Sequence, residues 1–251
     1  MKHQVPNDIP VHNQIINPNN LESQKWLNSI NDWTINQKMK INESKTKCMI
    51  FNYTNNCQFT TRLSINEKPI DVISSTRLLG TIIQNNLKWD SNTKELVRKA
   101  NARMELLRKV ASFNPSIDDL KTIYVMYVRS ILEYSATVWH SSITEENRND
   151  LERVQKTAFK IILGHRYKTY QNALDILNLE TLDERREILC LNFARRTSKH
   201  PKLKKMFPLN EKMHSMKTRK LEKYKVQEAH TERLKKSSVI FMQNLLNELE
   251  K

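Results

Sequence analysis

The chain of 251 residues carries 42 Lys and Arg against 27 Asp and Glu, which gives a formal net charge of +15 at pH 7. A charge of this size favours a polyanionic partner, nucleic acid first and an acidic membrane surface second, over the alternative of an ordinary basic protein. Only two glycines occur, which argues against a Gly-rich phosphate loop and a dinucleotide-binding turn. We also expect no cofactor and no small-molecule substrate.

The N-terminal part is predicted to contain an irregular leader and then a helix. Residues 1–20 are rich in Pro, Asn and Gln, which indicates a disordered segment. A helix begins at Leu21 and places Trp26, Ile30 and Trp33 along one face.

Short β-prone runs follow this helix. A tight turn at Asn66-Glu67 is expected to join two of them in a hairpin, and the runs themselves are 47–53, 59–65, 69–74 and 77–83. Residues 21–90 are therefore predicted to form one helix on a small antiparallel sheet.

The middle of the chain is predicted to be helical. Apolar periodicity indicates helices over 92–112, 117–140 and 145–163. The expected N-caps are Ser91 or Asn92, Ser116 and Thr144, and Gly164 is expected to end the third helix.

The helix over 117–140 is predicted to be the central rod of a bundle. It carries a wide apolar stripe, which suits a helix covered by neighbours on more than one side. The stripe consists of Leu120, Ile123, Tyr127, Ile131, Tyr134 and Val138, widened by Tyr124, Val128 and Leu132.

Two more helices are predicted over 170–178 and 182–198, followed by a basic tail from 209 to 251 that is helical or disordered. The tail closes with a short amphipathic segment that carries Ile240, Leu245 and Leu249. The predicted fold class is α+β and mostly helical.

Four segments are informative through their order along the chain, although no single short motif among them is decisive. They are SQKWLNSINDWTINQKMKINESKTKCMIFNY, RLLGTIIQNNLKWD, LEYSATVW and LERVQKTAFKIILG. They resemble the end of the palm and the region after the polymerase core in LINE-type, non-LTR retrotransposon reverse transcriptases, and most of all jockey-like elements. The resemblance covers roughly residues 21–210. It implies a partial palm over 21–90 and a thumb-like and C-terminal helical domain over 91–208.

The resemblance also bears on catalysis. The family carries a Tyr-x-Asp-Asp hairpin that should stand shortly before Leu21, where this chain has only Asp8, and a second family aspartate has no counterpart. Two-metal nucleotidyl transfer needs such converging carboxylates. We therefore expect a chain that starts beyond the catalytic half of the palm, holds no metal and is not an enzyme by itself.

Cations on the helix over 92–112 are the main candidates for contact with RNA, DNA or an RNA–DNA hybrid. Several cations on one rigid surface can contact phosphates and release counterions, while a plain solvated helix face is the alternative. The group consists of Lys94, Arg98, Lys99, Arg103, Arg108 and Lys109.

Other candidate positions come from the resemblance. Lys45 matches a family lysine near the departing pyrophosphate; without a metal site it is either a phosphate contact or a surface lysine, and Lys47 beside it is a further candidate for nucleic-acid contact. Leu79, Gly80 and Trp89 match a strand turn near the primer end. The triplet Glu43-Ser44-Lys45 superficially resembles a nuclease core, but a charged loop is the preferred interpretation.

Cysteines and hydropathy give the remaining expectations. Cys48, Cys57 and Cys190 form no CxxC pair, so we expect neither a disulfide framework nor a zinc site. The sequence shows no signal peptide and no apolar run long enough to span a bilayer, which predicts a soluble protein of the nucleus or cytoplasm without a membrane partner.

Three functional hypotheses remain open. The first is a non-enzymatic reverse transcriptase remnant that binds RNA or RNA–DNA hybrid without sequence specificity. The second is an incomplete portion of an active RNA-directed DNA polymerase. The third is a structural module that assembles with a polymerase core.

Overall fold

The computed structural model describes residues 21–51, 63–210 and 223–249, which fall into two compact units. Unit 1 contains the described residues up to Arg77 together with Gln84–Leu87, and unit 2 contains Leu78–Ile83 and the described residues from Lys88 onward. The predicted fold class, α+β and mostly helical, is confirmed. The predicted leader over 1–20 lies outside the described residues.

Unit 1 consists of one helix and two small strand pairs. The elements are α1 (Leu21–Asn36), β1 (Lys47–Cys48), β2 (Ser64–Ile65), β3 (Lys68–Pro69) and β4 (Asp71–Val72). The predicted hairpin is present, because β2 and β3 pair antiparallel around Asn66 and Glu67, whose φ angles are 49° and 66°. The side chain of Gln24 ties α1 to this hairpin by bonds to both the N–H and the C=O of Ser64.

The single antiparallel sheet expected for this region is replaced by separate pairs, and β1 and β4 run parallel. Pro69 has no N–H to donate, but the N–H of Ile70 still donates to the carbonyl of Leu63 at 2.8 Å, so the hairpin pairing continues past it. The predicted apolar face of α1 is also largely exposed: Trp26, Ile30 and Trp33 are 46%, 50% and 42% exposed.

The strand predicted over 77–83 is a hairpin instead. It consists of β5 (Ser75–Leu78) and β6 (Thr81–Gln84), and the boundary between the two units runs through it. Leu79 and Gly80 form the turn with φ angles of 46° and 88°. Positive φ at both turn residues matches the twist of a two-residue hairpin, which the prediction of one continuous strand overlooked.

Unit 2 is built from helices. They are α2 (Asp90–Ala111), α3 (Ile117–Ile123), α4 (Ser130–Leu132), α5 (Ala136–Trp139), α6 (Glu145–Leu163), α7 (Tyr170–Leu177), α8 (Leu182–Lys199), α9 (Glu232–Lys235) and α10 (Ser238–Glu248). A π-helical segment, Tyr124–Arg129, joins α3 to α4, and short 3₁₀ turns occupy His140–Ser142, Gly164–Arg166 and Lys204–Met206. Helix α2 packs against α6 and against α3, the π-helical segment and α4. Helix α8 packs against α5, α6 and α10.

The helix boundaries follow local chemistry at most positions. Ser116 and Thr144 accept hydrogen bonds from backbone N–H groups in the first turn of their helices, and Gly164 ends α6 with φ 52°, all as predicted. The predicted cap of α2 is wrong. That helix starts after Trp89 without a side-chain cap, and Asn92 instead accepts a bond from the backbone N–H of Ile82 at 3.1 Å.

The predicted central rod is interrupted. The π-helical segment widens the helix, and Ser135 adopts φ 54° and breaks it before α5. Burial therefore follows a spacing of four residues along Leu120, Tyr124, Val128, Leu132 and Ala136. Three members of the predicted stripe are exposed instead by 47% to 49%, namely Tyr127, Tyr134 and Val138.

The C-terminal segment is docked rather than loose. Helix α10 buries Ile240, Met242, Leu245 and Leu246, while Leu249 stays 49% exposed. Residues 211–222 of the predicted tail lie outside the described part of the chain. Within the described ranges, no helix has both the length and the apolar character that crossing a membrane requires.

Candidate nucleic-acid interface

The six cations predicted as one group all lie on α2, but they do not share one face. At about 100° per residue, Lys94, Arg98, Arg108 and Lys109 fall within an arc of about 100° that points away from the core. The core side of the helix carries Leu96, Ala100, Met104 and Leu107. Lys99 and Arg103 lie on the flank between these two sides. We call the four outward cations the α2 stripe.

Acidic neighbours reduce the charge of the α2 stripe. Glu95 accepts two bonds from the guanidinium of Arg98, at 2.8 and 3.1 Å, and lies 3.7 Å from Lys99. Glu105 falls on the same arc and pairs with Arg108 at 3.2 Å. Among the residues that the structure describes, Lys94, Arg103 and Lys109 form no ion pair. Because exposed pairs are weak and exchange readily with other partners, Arg98 and Arg108 remain available to a phosphate.

Neither Lys45 nor Lys47 belongs to this surface, since both lie in unit 1. The ammonium of Lys47 pairs with Asp71 across β1 and β4 at 2.6 Å, and this bond lowers the pKa of Asp71. Lys45 is exposed, and its backbone N–H donates to Asn42 within a turn. Glu43 of the nuclease-like triplet is bound by Lys68 at 2.7 Å and by Asn66 at 3.1 Å, an arrangement that fits a charged loop.

The primer-end-like positions are divided between surface and core. Leu79 is 86% exposed at the hairpin turn, whereas Trp89 is buried beside the first turn of α2. The hydroxyl of Tyr134 donates to the carbonyl of Leu79 at 2.6 Å, and its ring lies against Gly80. A Cβ at Gly80 would come within 3.1 Å of that hydroxyl, so glycine permits the close approach.

A second basic surface was missed as a candidate site. The last two turns of α8 and the turn after it expose Arg195, Arg196, Lys199, Lys202, Lys204 and Lys205. These six residues are called the α8 basic surface. No Asp or Glu occurs from residue 188 to residue 210, and none of the six forms an ion pair with the described residues. This uninterrupted run was readable in the sequence as a local excess of cations.

A buried charged cluster was also missed. Arg186 is fully buried against Trp139, with its Nε donating to Nδ1 of His140 at 3.3 Å and one terminal nitrogen 3.5 Å from Asp183. Arg148 pairs with Asp183 as well. Burial, followed by the charge of Arg186, lowers the pKa of His140 to about 4. The sequence around His140 carries no sign of its burial.

Within residues 21–51, 63–210 and 223–249, no group of three or more His, Cys, Asp or Glu side chains could hold a metal ion. Comparisons of the chain with protein-family models, with curated proteins and with solved structures found no match.

Proposed function

We propose that this chain binds RNA, DNA or an RNA–DNA hybrid through its helical unit, without reading base sequence, and that its α2 stripe supplies phosphate contacts. The observation that carries the proposal is the placement of exposed cations on a helix whose opposite side is packed into the core. Helix α2 contains six cations and the three acids Asp90, Glu95 and Glu105. A helix fixed in this way holds its cations at set spacings, which phosphate contact requires.

The proposal includes the relationship to non-LTR reverse transcriptases, which rests on the order of the four quoted segments. It places the protein inside the cell, in the nucleus or cytoplasm, where such a partner occurs. The chain itself is proposed to be non-enzymatic, because its sequence contains no Tyr-x-Asp-Asp and Asp118-Asp119 opens a helix instead of lying on a β-turn. Template-dependent extension of a primer by the purified chain with Mg²⁺ or Mn²⁺ would contradict this part.

The binding proposal is tested with a variant that removes three charges from the α2 stripe, Lys94→Gln, Arg98→Gln and Lys109→Gln. The matched control removes three exposed charges elsewhere, Lys25→Gln, Arg166→Gln and Lys168→Gln. Fluorescence anisotropy with a labelled duplex of arbitrary sequence is measured over a range of salt concentrations. Each lost duplex contact should flatten the slope of log affinity against log salt by about 0.9.

We expect the slope of log affinity against log salt to be flatter by up to about 2.7 in the α2 variant, and by the same amount for nucleic acids of unrelated sequence. The control variant should keep the slope of the unmodified chain. A slope that is the same in both variants would refute a role for α2. A preference for one sequence that disappears in the α2 variant would refute binding by charge alone.

A second candidate function is assembly with a polymerase core, and the exposed face of α1 favours it. Two tryptophans and an isoleucine, each 42% to 50% exposed, form an apolar surface of the kind that marks protein contacts. Replacing Trp26 and Trp33 by Ala should abolish co-purification with such a core at high salt. Nucleic-acid binding should persist in the same variant, because unit 2 is unchanged.

A further inference from the structure

The charge of unit 2 is distributed unevenly between its two basic surfaces. Residues 188–210 carry six Lys and Arg and no Asp or Glu, a net charge of +6, whereas the 22 residues of α2 carry six cations and three acids, a net charge of +3. The partial negative charge at the C-terminus of α8 amounts to about half an elementary charge and offsets little of this. The α8 basic surface is therefore the more strongly cationic of the two.

Buried contacts hold this surface in place. Cys190 and Ala194 of α8 are buried with Phe207 and with residues of α10. The side chain of Gln243 donates to the carbonyl of Met206 at 2.8 Å, which fixes the end of the turn that carries Lys202, Lys204 and Lys205. The N–H groups of Leu203 and Lys204 both donate to the carbonyl of His200, so the turn itself is closed. The six cations thus project from a backbone with defined geometry.

One aromatic ring borders this surface. Phe193 is 42% exposed and stands three residues before Arg196 on α8, so the two side chains are neighbours on the helix. An exposed ring beside a cation offers a stacking platform for a base whose backbone the cations of the surface contact. Bases in a duplex are already stacked on each other, so this combination suits an unpaired strand.

We propose that the α8 basic surface is a second nucleic-acid site, which binds single-stranded RNA or DNA by phosphate contacts from its cations and by stacking of a base on Phe193. This site is separate from the α2 stripe and does not depend on it. An acidic membrane fits less well, because Phe193 and Leu203 are the only large apolar side chains exposed by 36% or more between residues 190 and 206. Interfacial helices present a broad apolar face instead.

The test uses the full chain and a labelled oligo-thymidine strand, with a duplex of the same length for comparison. Arg195→Gln, Arg196→Gln and Lys199→Gln are combined in one variant, and the triple variant at Lys25, Arg166 and Lys168 is again the control. We expect the slope of log affinity against log salt for the single strand to fall by up to about 2, or about 0.7 per lost contact. The control should keep its slope.

A second variant tests the stacking. Phe193→Leu keeps an apolar side chain at this half-exposed position and removes only the aromatic face, so the fold is retained, which circular dichroism and thermal unfolding verify. Single-strand affinity should fall at least about fivefold, while duplex affinity should not change. An equal loss for strand and duplex, or no loss for the strand, would overturn the proposed stacking and the preference for single strands.

Two further comparisons distinguish the α8 site from the α2 stripe and from a membrane-binding surface. If the α8 triple variant binds the strand like the control while the α2 variant binds the duplex more weakly, the α8 site is refuted and the α2 proposal stands. The reverse result refutes the α2 proposal alone. If the α8 triple variant loses only its binding to vesicles that contain phosphatidylserine, the surface recognises an acidic membrane, and the nucleic-acid assignment is overturned.

Discussion

The buried imidazole of His140 makes the stability of this protein depend on pH in a defined window. The side chain is 2% exposed and lies beside two guanidinium groups, those of Arg186 and Arg148, with the carboxylate of Asp183 3.9 Å from Nδ1. Its ring packs edge-to-face with the ring of Phe241 of α10, with the centroids 5.7 Å apart. Burial and the nearby cations disfavour protonation more strongly than Asp183 favours it, so the pKa falls from 6.5 to about 4.

The direction of the effect follows from proton linkage. Between about pH 6.5 and pH 4 the unfolded chain binds a proton at His140 that the folded chain does not, so the free energy of unfolding decreases as the pH falls. A difference of about 2.5 pKa units corresponds to about 3 kcal/mol in total, of which about 2 kcal/mol is lost between pH 7 and pH 5. Above pH 7 the contribution is complete and constant.

The assay compares urea unfolding of the unmodified chain and of His140→Asn at pH 7, 6 and 5, followed by circular dichroism. Asparagine cannot be protonated in this range, and its Oδ1 can accept the bond from Arg186. Burial raises the pKa of Glu187, which acts in the opposite direction, but this carboxyl is present in both proteins and cancels in the difference. Equal losses of unfolding free energy in the two proteins between pH 7 and pH 5 would refute the reasoning.

Three other predictions concern single contacts. Tyr124→Phe removes a buried hydroxyl that donates to Gln155 at 2.5 Å, so urea unfolding should show a loss of about 1–2 kcal/mol, and an unchanged midpoint would contradict this. Gly80→Ala places a Cβ 3.1 Å from the Tyr134 hydroxyl, at a residue whose φ of 88° strains any side chain. Amide hydrogen exchange in the β5–β6 hairpin should therefore accelerate, while α6 keeps its protection. Thr181→Ala removes the capping box of α8 and should cost about 1 kcal/mol in thermal unfolding, whereas Thr181→Ser should cost much less.

Helix ends and tight turns were predictable because their causes lie within a few residues. Ser116 and Thr144 cap their helices through bonds to the residue three positions on, and Gly164 ends α6 with a positive φ. The hairpin at Asn66-Glu67 depends on the same kind of local chemistry. Trp89 shows the limit of this reasoning. Helix α2 begins after Trp89 without a side-chain cap, and the Trp89 side chain is buried in the core instead.

The central helix could not be predicted in detail because its irregularity depends on packing. A period of 3.6 residues placed Tyr127 and Tyr134 on the buried side. The π-helical segment, which contains Tyr127 and precedes Tyr134, changes that period, and both residues are exposed. The polar residue Gln155 on α6 is fully buried among partners from three parts of the chain, the hydroxyls of Tyr124 and Tyr170 and the carbonyl of Glu180. No pattern within α6 alone indicates that set of partners.

The candidate site illustrates the difference between a charged sequence and a charged surface. The pairing of Arg98 with Glu95 and the separation of Arg103 from the outward arc both follow from helical spacing, so they were predictable from the residues around α2. The burial of Arg186 was not, because it depends on the packing of α8 against α5, which carries Trp139.

Salt dependence provides the physical criterion that ranks the two basic surfaces, because counterion release depends on the number of phosphates that a surface contacts simultaneously, not on the net charge of the chain. An acid within or beside a cationic arc competes with phosphate for its neighbours, as Glu105 and Glu95 do on α2. Each such competitor reduces the contacts that binding can form. The α8 basic surface has no such competitor in its own stretch of sequence. A single strand that can reach either surface should therefore meet more available cations at α8, and its binding should depend more steeply on salt there than at the α2 stripe.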